Sequence, residues 1–153
     1  MSNTIKAHEL PSLVGQETEP SSWFEVTQER VNRFADATND HQFIHIDEEK
    51  AAQTPFGGTI AHGFLTLSLV PFLTAEKATQ VEGVEMGINY GSDRVRFLQP
   101  VPVGSRIRAR QVLREAVEKK PGQWLTRTTV TIEIEDQERP ALIAEFIAML
   151  IVR

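Results

Sequence analysis

Asp40 and His45 stand five residues apart in the stretch Phe34 to Gly63, which reads FADATNDHQFIHIDEEKAAQTPFGGTIAHG. An aspartate and a histidine held in one short polar connection can share a water molecule, one taking a proton and the other giving one. His62-Gly63 follows at the start of a long apolar segment. A helix beginning there would offer unpaired backbone N–H groups to an oxygen that gains negative charge. This combination suits reversible addition of water to an activated double bond. Competing chemistries find less support. Cysteine is absent, which excludes a thiolate nucleophile, and no G-x-S-x-G turn is present for a serine hydrolase. Asp40, His41, His45 and Asp47 are possible metal ligands by type, but their spacing matches no zinc pattern, so no metal is expected.

The elements that must hold these residues are legible around them. Thr27 is a good N-cap for a helix over about Gln28 to Ala37, with Val31, Phe34 and Ala35 at helical spacing. Asp36 falls on the solvated side of that helix, and Asn39 suits a left-handed backbone position after it. Asp47 caps a second short helix, Glu48–Gln53, and Thr54-Pro55-Phe56-Gly57-Gly58 makes a loop. Gly63–Thr79 then carries apolar residues nearly all round, which predicts one helix buried on most sides, kinked or broken at Pro71. Phe64, Leu67, Val70 and Phe72 are its expected buried contacts, and Ser68 should bond the helix backbone. His62 either caps this helix or orders the site.

From Val84 onward the pattern is β. Val84, Met86, Ile88 and Tyr90 alternate, and the shift of phase to Val95 and Phe97 predicts a bulge at Gly91 or Ser92. Two more strands follow, marked by Ile107, Ala109, Leu113 and Val117, then by Trp124, Val130, Ile132 and Ile134. Ala141–Val152 is apolar on both faces apart from Glu145, as a central strand covered on each side would be. Trp23, Phe24 and Val26 read as a short strand. Residues 1–21 form a polar lead-in with a short helical piece near Ile5–Leu10, ended by Pro11. One buried helix and about four long antiparallel strands leave few arrangements besides a sheet curled around the helix. The fold class is therefore α+β, a hot-dog fold, in a single domain over 1–153. Long open edges favour joining two such sheets, hence a homodimer.

Composition bounds the partners. With 153 residues, 41% hydrophobic and 24% charged, the chain suits one ordinary globular domain. A net charge of −5 without a Lys/Arg run argues against nucleic acid. MSNTIKAHELPSLVG lacks the pattern of a signal peptide. The apolar run from Phe64 to Ala75 is too short to span a bilayer, so a cytoplasmic protein without membrane attachment is expected.

FADATNDHQFIHID followed by AHGFLTLSLVPFL resembles the MaoC-like dehydratases, the (R)-specific enoyl-CoA hydratases, in the branch related to nodulation protein N. The family motif runs from an aromatic residue through Thr/Ser, Gly-Asp and Asn-Pro to an aliphatic residue, a histidine and a small residue. Phe34, Thr38, Asp40, Ile44, His45 and Ala51 stand at matching places. Asn39 replaces the glycine and Gln42-Phe43 the Asn-Pro, departures typical of that branch. NYGSDRVRFLQPVPVGSRIR also resembles its strand, turn and strand, and the similarity covers roughly Trp23 to Arg153. The resemblance implies a hot-dog homodimer that hydrates trans-2-enoyl-CoA to (3R)-hydroxyacyl-CoA, with no cofactor beyond the CoA carried by the substrate. Asp40 and His45 would hold the attacking water, either one giving or taking the proton; the favoured order has His45 take it and Asp40 deliver one. Backbone N–H groups near Gly63 would hold the enolate oxygen. His62, Arg94 and Arg96 are possible substrate-binding residues, the arginines for the phosphates of CoA, although their alternation with Val95 and Phe97 also suits a solvated sheet face. A hot-dog thioesterase and a non-catalytic acyl-CoA-binding subunit are the competing functions.

Overall fold

Four long strands carry the alternation of the second half of the chain: β4 (Val84–Phe97), β5 (Arg106–Lys120), β6 (Gln123–Ile134) and β7 (Leu142–Val152). The computed structural model describes residues 4–153, so residues 1–3 of the lead-in lie outside the described residues. Before β4 come β1 (Thr4–Ile5), a 3₁₀ helix (Ala7–Leu13), β2 (Phe24–Glu25), α1 (Gln28–Thr38), α2 (Phe43–Ile46), α3 (Glu48–Ala52), α4 (Gly63–Ser68), α5 (Val70–Ala75) and β3 (Gln80–Val81). Pro11 lies inside the 3₁₀ helix and does not end it. The main sheet is antiparallel in the order β2-β5-β6-β7-β4, and β1 pairs with β3 separately. The helices α4 and α5 pack against it in the hot-dog arrangement.

β7 lies between β6 and β4, as its apolar character predicts. Leu142 and Ala144 are buried on one face; on the other Ile147 is buried but Ile143 is 38% exposed, so the second face of β7 is only partly covered in the single chain. The register of β4 on β7 shifts between Asn89 and Gly91 and again between Asp93 and Arg96. The first shift falls at the predicted bulge. The second puts Arg94 in left-handed backbone at φ 53°, a conformation disfavoured for a residue with a side chain.

The helix expected to kink or break at Pro71 is two helices of six residues each, meeting at Leu69, two residues before that proline. Pro71 sits in the first turn of α5, where its missing N–H removes no intrahelical bond. One face of the pair is buried, with Leu65, Leu69, Val70 and Leu73 packed on Ile107, Val130, Ile132 and Leu142. The all-round burial does not hold. Phe64 is 67% and Phe72 60% exposed, and Leu67 is half-buried, because one curled sheet covers only one side of the pair.

The polar lead-in has a role that its composition does not announce. It runs along β5, with the amides of Gly15, Thr18 and Ser21 donating to the carbonyls of Leu113, Gln111 and Ala109. That strap and β2 occupy the edge of β5. At the other end of the sheet β4 pairs only with β7 among the described residues, leaving its outer edge unpaired. Val84, Met86, Ile88, Tyr90 and Phe97 on that strand are exposed. Among the described residues no helix is long and apolar enough to cross a membrane.

Candidate active site

Helix α1 brings the chain to the site. Thr27 Oγ1 accepts the Arg30 N–H, and Asn39 ends the helix at φ 58° and ψ 28°, the left-handed position its type suits. Asp40 follows directly, its amide donating to Ala35 O at 3.1 Å and its carboxylate accepting from the Gln42 N–H at 3.4 Å. Its side chain is exposed in the single chain. The connection to the next helix is not wholly irregular, since Phe43–Ile46 forms the single turn α2 and points His45 inward. Asp47 then caps α3 through the Lys50 N–H.

His45 is 7% exposed and held from several sides. Its Nδ1–H donates to Ile60 O at 2.7 Å. A carbonyl only accepts, so this bond places the hydrogen on Nδ1 and leaves the Nε2 lone pair to act as a base. The Ile60 amide returns a bond to Ile44 O at 3.0 Å. Gln28 Nε2 donates to the His45 carbonyl at 2.7 Å, while Gln28 Oε1 accepts from Thr59 Oγ1 at 2.7 Å. Burial pushes the His45 pKa below its ordinary 6.5; the bond to Ile60 opposes this, His62 adds to the lowering and Asp40 opposes it. The net direction favours the neutral ring that a base requires.

His62 completes the cluster. Its ring stacks on His45 with centroids 3.8 Å apart and planes 23° apart, and its other neighbour is Phe34 at 4.8 Å. Nε2–H donates to Asp40 O at 3.0 Å, and Nδ1 is buried without a partner. An unpaired buried polar atom costs on the order of 1–3 kcal/mol. The candidate ligand atoms of Asp40, His45 and His62 all lie within 4.8 Å of one another, a grouping different from the Asp40, His41, His45 and Asp47 set weighed from sequence. Stacked rings aim their lone pairs along nearly parallel planes, so an ion in the plane of one ring lies well out of the plane of the other. His41 turns away to Asp36 at 2.8 Å.

A cavity of about 360 Å³ opens beside His45, lined also by Ile60, Gly63, Phe64, Phe97 and Pro100. The first intrahelical bonds of α4 run from the amides of Leu65 and Thr66 to His62 O, so the Gly63 N–H precedes them. A Cβ on Gly63 would lie 3.0 Å from the Phe97 ring, so any larger residue here would crowd that ring or displace it. His62 does not line the cavity, and the residue is 2% exposed. Arg94 and Arg96 are exposed on β4 and do not line it either. Gln28, Phe97 and the turn α2 escaped the sequence; Gln28 grips partners 17 and 31 residues away, for which no local signal exists.

The sequence matches the MaoC like domain over residues 9–136. The chain belongs to the MaoC-like dehydratase family. This MaoC-like protein is 49% identical over 143 residues to nodulation protein N of Rhizobium leguminosarum bv. viciae, covering 93% of this chain and 89% of the relative. It is 48% identical over 139 residues to 3-hydroxyacyl-thioester dehydratase Z of Mycobacterium tuberculosis strain H37Rv, covering 91% of each. Among solved structures, the (R)-hydratase from A. caviae involved in PHA biosynthesis superposes with a TM-score of 0.72 at 26% identity, covering 88% of this chain and 94% of that one.

Proposed function

We propose that the protein hydrates trans-2-enoyl-CoA reversibly to (3R)-hydroxyacyl-CoA, with no cofactor beyond the CoA of the substrate. The observation that carries this is the convergence on one largely apolar cavity of a neutral-favoured His45 and the Gly63 end of α4; Asp40 does not line that cavity, but its carboxylate lies within 4.8 Å of a His45 ring nitrogen. His45 Nε2 takes a proton from water as the water oxygen bonds to C3. The C2–C3 π electrons move toward the thioester, and the Gly63 N–H holds the enolate oxygen. Asp40 gives a proton to C2, and the proton on His45 restores Asp40 for the next turnover. Dehydration runs the same steps backwards. The relative named as a 3-hydroxyacyl-thioester dehydratase supports a thioester substrate.

Arg94 and Arg96 grip the phosphates of CoA as exposed cations on the edge strand. The working unit is a cytoplasmic homodimer. With β5 covered by the lead-in, the open edge of β4 and its exposed apolar residues give two sheets one way to join. The experiment is incubation with crotonyl-CoA and, separately, butyryl-CoA. Loss of enoyl absorbance without release of CoA is the expected result. Free CoA from butyryl-CoA, or binding without reaction, would overturn the proposal.

A further inference from the structure

His62 touches three parts of the site at once. It precedes Gly63 in the chain, bonds the Asp40 carbonyl and stacks on His45. Helix capping does not explain it, because its side chain makes no cap bond. Packing alone does not explain it either, since phenylalanine would fill the space without leaving Nδ1 unpartnered. The Asp40 amide is held by Ala35 O at 3.1 Å, and its carbonyl is held by His62. Asp40 follows a left-handed cap in an exposed connection, and its carboxylate holds Gln42 only at 3.4 Å.

We propose that His62 is a positioning residue, whose Nε2–H on the Asp40 carbonyl and whose ring against His45 fix the acid and the base of the site relative to Gly63. The hydration role rests on the function proposed above, whereas the hold on His45 does not. Phe34 backs the ring from α1, so His62 has little room to move. The titratable groups that face His45 are His62 and Asp40, with the Ile60 carbonyl on Nδ1. Removal of His62 takes away one influence that lowers the His45 pKa.

The test compares His62→Phe, which keeps an aromatic ring but loses the donor, with His62→Gln, which keeps an N–H of similar reach. With crotonyl-CoA, His62→Phe should lower kcat by about 10–100-fold, as misplacement of a reacting group by about 1 Å does. KM should change by less than about threefold, because His62 does not touch substrate. His62→Gln should recover much of that kcat. NMR titration without substrate should show the His45 midpoint rising in both variants, and wild-type imidazole ¹⁵N shifts should show hydrogen on His62 Nε2. Both the kinetic and the NMR results are required. Unchanged kcat, a rise in KM alone, no advantage of Gln over Phe, or an unmoved His45 midpoint overturns the proposal. If His62→Phe fails to fold, His62→Gln and the wild-type tautomer carry the test. If the wild type does not hydrate crotonyl-CoA, the proposed function fails, and the NMR arm alone decides whether His62 holds His45.

Discussion

Gly63→Ala isolates the close approach on which the cavity depends. The added methyl would stand 3.0 Å from Cδ1 and 3.1 Å from Cε1 of Phe97. Ordinary carbon contacts lie at about 3.5–4.0 Å, so the ring must retreat by roughly half an ångström or the start of α4 must shift. Phe97 is 47% exposed and can yield, and alanine within a helix gains about 0.5–1 kcal/mol over glycine. The two effects oppose each other, and stability should change by less than about 1 kcal/mol, a shift in Tm of only a few degrees. Activity should respond differently. The methyl moves the Gly63 N–H and crowds the thioester carbonyl, and a displacement near 1 Å costs about 10²-fold in rate. Adding Phe97→Leu to Gly63→Ala should restore part of kcat by relieving the clash. The assay is crotonyl-CoA hydration alongside thermal unfolding. Wild-type kcat/KM in a folded Gly63→Ala would refute the close-approach reasoning.

Leu65→Ala should cost about 2–5 kcal/mol in denaturant unfolding, because Leu65 is buried in the main cluster; Leu67→Ala, at a half-buried position, should cost less. His45 has a folded pKa below 6.5, so beneath that pH the unfolded chain binds a proton that the folded chain resists. Stability should therefore fall as pH drops from about 6.5 to the folded pKa and no further on this account. His45→Gln should remove that part of the slope in unfolding measured between about pH 7.5 and about pH 5, and an unchanged slope would assign it to other groups. Ile88→Lys with Tyr90→Lys should convert a dimer to monomers by light scattering, whereas a wild type already monomeric at micromolar concentration would exclude the β4 interface.

Legibility in the sequence followed the range of the interactions. Thr27, Asn39, Asp47 and Ser68 act on backbone within four residues, and each behaves as its type suggests. The strands and the bulge near Gly91 were also visible, because alternation and its change of phase are local. What stayed hidden depends on partners far along the chain. The exposure of Phe64 and Phe72 follows from which side of the helix pair the sheet reaches. The lead-in was only polar until β5 accepted its amides. Asp40 and His45 stood out by spacing. The hold of Gln28 and His62 on them required the fold to bring α1, α2 and the start of α4 together.

Whether Asp40 and His45 act on one water as a unit is read from the rate of crotonyl-CoA hydration by the wild type, Asp40→Asn, His45→Gln and the double variant, with circular dichroism and oligomeric state as controls. Each single substitution should lower kcat by about 10²–10⁴-fold. The double variant should lose far less than the product of the two, since groups that share one step are not additive. Near-normal hydration by either folded single variant would contradict the account.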